Sequence, residues 1–147
     1  MTRPLQDTGL SIKRLQMRHH RAMNAQLAAL DITLVQWDAL RHLHQHPEAS
    51  LHDLAVLTFQ TDQSFGTLAA RMIARGLIER VPGPGRAVRH RLTAKGETLR
   101  AAGGGIADGM LAVSFAPLTE RELATLDGLL AKLMDHPSPY DQPSSRA

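Results

Sequence analysis

The change of apolar period at Gly76 constrains this chain more than any other feature. Before it, Phe65, Leu68, Ala69 and Met72 recur at i, i+3, i+4 and i+7, the spacing of a helix with one buried face. After it the period is two. Leu77, Glu79 and Val81 alternate with Ile78 and Arg80, and Val88, His90 and Leu92 alternate with Arg89 and Arg91. Gly76 supplies the left-handed stop between the two regimes. Pro82-Gly83-Pro84-Gly85 separates the alternating runs. Pro cannot donate to a strand ladder and Gly permits positive φ, so the tetrapeptide reads as the loop of a two-stranded antiparallel hairpin.

The remaining chain reads as helices around that junction. Leu10, Ile12, Leu15, Met23, Leu27 and Leu30 predict a long first helix over about residues 8–29. Thr33 caps a second, TLVQWDALRHLHQH, whose apolar positions Leu34, Trp37, Leu40 and Leu43 stop before Pro47. Ser50 and Asp53 frame a short third helix carrying Leu51, Leu54, Ala55 and Leu57. Thr58 to Gln60 form a turn, and Thr61 caps the helix that Gly76 ends. Thr93 opens a fifth helix to about Phe115, and its Gly103-Gly104-Gly105 run is compatible with a kink, a close helix crossing or fraying. Thr119 and Glu122 box the start of a sixth, with Leu123, Leu126, Leu130 and Leu133 on one stripe and Leu129 and Met134 widening it. The tail from 137 to 147 is rich in Pro and Ser and reads as flexible.

Charge is concentrated where the periods change. Residues 71–100 hold eight Lys or Arg against Glu79 and Glu97, a net +6, although the whole chain carries only +3. A short helix, a turn, a second helix and a basic hairpin form a winged helix-turn-helix, so the fold class is mainly α with a two-stranded wing. In that fold the N-terminal residues of the second helix reach base edges. Gln63 offers a bidentate pair to adenine, and Ser64 and Thr67 offer hydroxyls to either base type. Arg71 and Arg75 suit phosphates, Arg86 the minor groove at the wing tip, and Arg89 and Arg91 the flanking backbone. Ser50, Thr61 and Asp62, at the starts of the two helices, complete the candidate DNA-contacting set.

The stretches TLVQWDALRHL, SLHDLA, ARMIARGLIER and RHRLTAKG, in that order, resemble the multiple-antibiotic-resistance regulator (MarR) family over about residues 10–135. The resemblance implies a homodimeric transcription regulator, commonly a repressor, acting on a palindromic double-stranded operator. It implies dimerisation helices at 1–32 and 112–136 around a DNA-binding lobe at 33–111, whose connecting helix starts at 93. It also implies release by a small aromatic or other anionic effector, for which Met17, His20, Met23, Trp37 and Met110 are the candidate lining. Family wings usually place an Asp two residues before the Arg at the position of Arg86, and here that residue is Pro84.

Other classes fit less well. There is no Gly-rich phosphate loop after a strand, no HExxH and no nucleophile elbow, so no enzymatic activity and no cofactor are expected. The absence of cysteine removes disulfides, thiolate metal sites and thiol redox sensing. His42 and His46, four apart on one helix, remain an alternative metal-responsive pair, although the leading reading assigns no metal. A winged helix used for protein interaction is a further alternative, and the basic wing argues against it. No signal peptide or membrane span is legible, which fits a cytoplasmic chain without a membrane partner.

Overall fold

The computed structural model describes residues 2–82, 85 and 88–140. Two compact units divide at Leu111/Ala112. The first contains α1 (Leu5–Leu27), a 3-10 turn (Ala28–Leu30), α2 (Leu34–Gln45), α3 (Leu51–Leu57), α4 (Asp62–Ala74), β1 (Ile78–Val81), β2 (Arg89–Leu92) and most of α5 (Ala94–Phe115). The second contains the last residues of α5, then α6 (Glu120–Asp135). No single helix is long and apolar enough to cross a membrane.

Helix starts follow local chemistry. Thr33 accepts from the Gln36 amide while the Gln36 side chain accepts from the Thr33 amide, at 3.2 and 3.0 Å. Ser50 and Asp53 make the same reciprocal pair, with Asp in place of the usual Glu. Each box satisfies two amides that the first helical turn leaves without partners, and such a cap contributes about 1 kcal/mol. α1 begins earlier than its apolar period predicts, and it closes through the 3-10 turn at Asp31, whose φ is +56°. α4 ends as expected, with Gly76 at φ +72°.

The core lies where the first unit's helices meet the hairpin. Leu27, Leu40, Leu54, Phe65, Met72 and Leu77 are fully buried, joined by Met23, Trp37, Ala107 and Met110. Burying one such large side chain contributes about 1.5–3 kcal/mol. β1 and β2 pair antiparallel, with Ile78 opposite Leu92 and Val81 opposite Arg89.

Two glycines of α5 are demanded by close approach. A Cβ on Gly96 would sit 2.0 Å from the Leu77 carbonyl oxygen, and one on Gly103 would sit 2.2 Å from Cδ1 of Trp37. The helix runs unbroken through Gly103-Gly104-Gly105, so of the three open possibilities the structure selects the close crossing, at Gly103. Thr93 binds this helix start to the hairpin, its hydroxyl accepting from the Gly96 amide and donating to the Gly76 carbonyl.

In the second unit Thr119 and Glu122 box α6 as predicted. No α6 residue is buried, and Leu129, Leu130, Leu133 and Met134 are exposed. α1 likewise exposes Leu10, Ile12 and Leu15, so only Met23 and Leu27 of its apolar stripe are buried within one chain. Of the tail expected to be flexible, 137–140 are described and 141–147 lie outside the described residues.

Candidate nucleic-acid interface

α4 is presented by what anchors its opposite face. Phe65, Ala69 and Met72 are buried, while Asp62, Gln63, Ser64, Thr67 and Arg71 are exposed. Thr61 caps the helix, its hydroxyl accepting from the Ser64 amide at 3.0 Å. The preceding turn closes when the Gln60 amide donates to the Ala55 carbonyl at 2.8 Å, which carries Phe59 into the left-handed region at φ +57°. Gln63, Ser64, Thr67 and Arg71 come together along one open groove of about 570 Å³, whose other wall is Thr33, Val35 and Gln36 at the start of α2. Arg71 pairs with no described residue, so its guanidinium is available to an external anion.

Several neighbours were not evident from the sequence. Gln60 shares the groove and accepts from the Ser64 hydroxyl at 3.1 Å, a contact that their i, i+4 spacing hints at. The Thr67 hydroxyl donates to the Gln63 carbonyl at 3.1 Å, a local bond that an external acceptor can replace. Asp62 meets Nδ1 of His52 from α3 at 2.8 Å, so its carboxylate ties the two helices together. Ser50 is committed to its cap, its hydroxyl accepting from the Asp53 amide at 3.1 Å, and its own amide, donating to the Asp53 carboxylate at 2.9 Å, is the chief cause that holds that carboxyl below the usual carboxylate range.

The remaining cations are distributed differently. Arg91 pairs across the hairpin with Glu79 at 2.5 Å, and both side chains face solvent, where such a pair is weak and easily exchanged. Arg89 points inward: its Nη1 donates to the Glu48 carbonyl at 2.5 Å, and its backbone bridges to Ser50, which joins the wing to the start of α3. Arg75, the C-cap of α4, turns away from the groove toward Asp31 and Gln36. Arg86 lies outside the described residues. His90 is the buried polar residue of β2; burial, with Arg80 adding, holds its imidazole below the usual histidine range.

The candidate effector lining is not gathered on one surface. Met23, Trp37 and Met110 are packed into the core, His20 is half-buried, and Met17 lies on an exposed strip of α1 with Arg14, Arg18 and Arg21. Trp37 is fixed from two sides, by Gly103 and by donation from Nε1 to the Arg100 carbonyl at 3.1 Å. His42 and His46 stack with ring centroids 6.3 Å apart. Burial lowers the His42 pKa, with Arg41 and His46 adding and Asp38 opposing. Among the described residues, no group of three His, Asp or Glu is arranged to hold a metal ion.

Comparison with known proteins follows the same lines. A family model described as MarR family matches residues 30–87. The fold is similar to that of a mutant E. coli MarR in complex with operator DNA, with a TM-score of 0.78 and 25% identity over 86% of this chain and 92% of that one. It is also similar to a MarR family protein of Mycobacterium tuberculosis in complex with salicylic acid, with a TM-score of 0.72 and 27% identity over 90% and 97% of the two chains. Bordetella bronchiseptica BpsR, whose DNA binding is regulated by 6-hydroxynicotinic acid, shares the fold with a TM-score of 0.78 and 24% identity over 88% and 99%. No curated protein matches the sequence.

Proposed function

The chain belongs to the MarR family and is a DNA-binding transcription regulator, and from that premise we propose that it works as a homodimeric repressor, released from a palindromic operator by a small aromatic or anionic effector. The observation that carries this reading is the groove along α4. Gln63, Ser64 and Thr67 stand exposed on the same helix whose other face is locked into the core, with the uncommitted Arg71 one turn on. In this reading the three polar residues read base edges, and Arg71 and the loosely paired Arg91 neutralise phosphates. Arg86 is assigned the minor groove by analogy with family wings.

The exposed apolar strips support the dimer. Leu10, Ile12 and Leu15 of α1 and Leu129, Leu130 and Leu133 of α6 are apolar surface of the kind that marks interaction sites. Their charges are complementary: α1 carries Lys13, Arg14, Arg18 and Arg21 against Asp7, and α6 carries Glu120, Glu122, Asp127 and Asp135 against Arg121 and Lys132. Residues 1–32 and 112–136 are accordingly assigned to dimerisation and 33–111 to DNA binding. Relatives bound to operator DNA and to salicylic acid support the two ligand classes. The working compartment is then the cytoplasm, where bacterial DNA lies.

Selection of genomic fragments with the purified protein, followed by anisotropy titration of the enriched duplex, tests the reading. A palindromic site bound by two copies, with affinity falling steeply as salt rises, is expected, because each neutralised phosphate releases counterions. A flat salt response, or no enriched sequence, would refute it.

A further inference from the structure

His52 stands in the first turn of α3 and meets Asp62, the first residue of α4, with Nδ1 2.8 Å from Oδ1. A carboxylate only accepts, so Nδ1 carries the proton in this pair. The two side chains are 40% and 57% exposed, and Nε2 of His52 has no hydrogen-bond partner among the described residues. Asp62 directly precedes Gln63 on the face assigned to DNA, where a bare carboxylate repels phosphates. In a helix-turn-helix the first helix crosses the sugar-phosphate backbone while the second enters the groove, so phosphates pass the α3 side of the pair. Other charges around His52 are engaged. Asp53, beside it on α3, accepts from the Ser50 amide at 2.9 Å. Arg89 of the hairpin, whose charge reaches Asp53, donates to the Glu48 carbonyl. On α2, Asp38 pairs with Arg41 and His42, and His44 pairs with Glu97.

We propose that His52 is a proton-linked phosphate contact of the DNA complex and that Asp62 is its positioning residue, not a reader of bases. A neutral imidazole in this place gives its one N–H to Asp62 and presents a lone pair at Nε2, to which a phosphate oxygen cannot bond. Protonation puts an N–H on Nε2, across the ring from Asp62, and the imidazolium then bridges one carboxylate and one phosphate by charge-assisted hydrogen bonds. It also offsets the charge of Asp62 where the backbone arrives. An arriving phosphate favours the charged imidazole, so duplex binding takes up a proton at this pair. Histidine is the side chain that changes charge between about pH 5 and 8, which brings the coupling near neutrality. This assignment rests on the DNA-binding reading above and deepens it: Asp62 acts through His52, which the sequence did not single out.

Anisotropy titration of the full chain with the selected duplex and with an unrelated duplex of the same length, at fixed salt and from about pH 6 to 8.5, tests the pair. His42 and His90 interfere little in this window, because burial holds both below the usual histidine range. Affinity for both duplexes should fall about tenfold as pH rises, as expected for loss of one charge-assisted hydrogen bond. His52→Ala should remove that dependence and bind at pH 6 as weakly as the unaltered protein does at pH 8.5. Asp62→Asn should keep the dependence and move it to lower pH, because the imidazolium loses its carboxylate; a merely structural tie between the helices would change binding equally at every pH. Circular dichroism across the window checks that both substitutions, at exposed side chains, leave the fold intact. Full pH dependence in His52→Ala, or an Asp62→Asn midpoint that stays in place, overturns the proposal. A dependence confined to the selected duplex does so too, since a phosphate contact carries no sequence. Duplex binding that is flat with pH refutes the proposal and leaves the DNA-binding function standing, whereas no duplex binding at any pH refutes both.

Discussion

Gly103→Ala should destabilise the protein, while the same substitution one or two residues later should not. A Cβ at 103 would lie 2.2 Å from Cδ1 and 2.5 Å from Nε1 of Trp37, about 1.2 Å short of ordinary contact at 3.4 Å. Trp37 cannot rotate away freely, because its indole is held by the Arg100 carbonyl and its ring is buried in the core. Either α5 lifts from the core or the hydrogen bond breaks. Overpacking of this kind costs about 1–3 kcal/mol and the lost bond about 1 kcal/mol more, against about 1 kcal/mol regained from helix propensity. The net expectation is a loss of about 1–3 kcal/mol. Gly104 and Gly105 have nothing within 4 Å of an added Cβ, so Ala there should be neutral or stabilise by up to about 1 kcal/mol. Urea unfolding followed by circular dichroism, at one fixed protein concentration because association shifts apparent stability, reads both signs. The reasoning fails if Gly103→Ala is as stable as Gly105→Ala.

Substitutions in the groove should divide by role. Gln63→Ala should cost about 1–3 kcal/mol on the selected duplex and little on an unrelated one, whereas Arg71→Ala should weaken both alike and reduce the salt slope by about one. Equal losses for Gln63→Ala on the two duplexes, read by anisotropy, would remove it from base reading. Stability should fall on mild acidification. His90 and His42 have folded pKa values lowered by burial, so below the unfolded value near 6.5 the unfolded chain takes up protons that the folded chain refuses. Each such group contributes a slope of up to about 1.4 kcal/mol per pH unit, beginning near pH 6.5 and ending at its folded pKa. His90→Gln should flatten the slope between pH 6.5 and 5 in urea titrations, and an unchanged slope would refute the assignment. Asp53 and Glu97, whose pKa values are lowered by hydrogen bonds from Ser50 and Arg100, add stability that is lost only at more acidic pH.

Much of this structure is legible along the chain because its causes are local. The stripe of Phe65, Ala69 and Met72, the caps at Thr33, Ser50, Thr61 and Thr119, and the stop at Gly76 each depend on backbone geometry within about one turn. The same stripe leaves Gln63, Ser64, Thr67 and Arg71 exposed, so that half of the candidate site follows from periodicity. The other half does not. Arg75, Arg89 and Arg91 look alike in sequence, yet Arg75 reaches Asp31 across 44 positions, Arg89 reaches Glu48 across 41, and Arg91 remains on the surface with Glu79. A glycine run could mean a kink, a crossing or fraying until Trp37 arrived against Gly103, its indole bonded to a carbonyl 63 positions away. Helix ends, faces and strand alternation are properties of neighbouring residues, and sequence alone determines them. Which cation is free, which methionine is core and which imidazole meets a carboxylate depend on segments that meet only after the chain has folded, and these the tertiary structure decides.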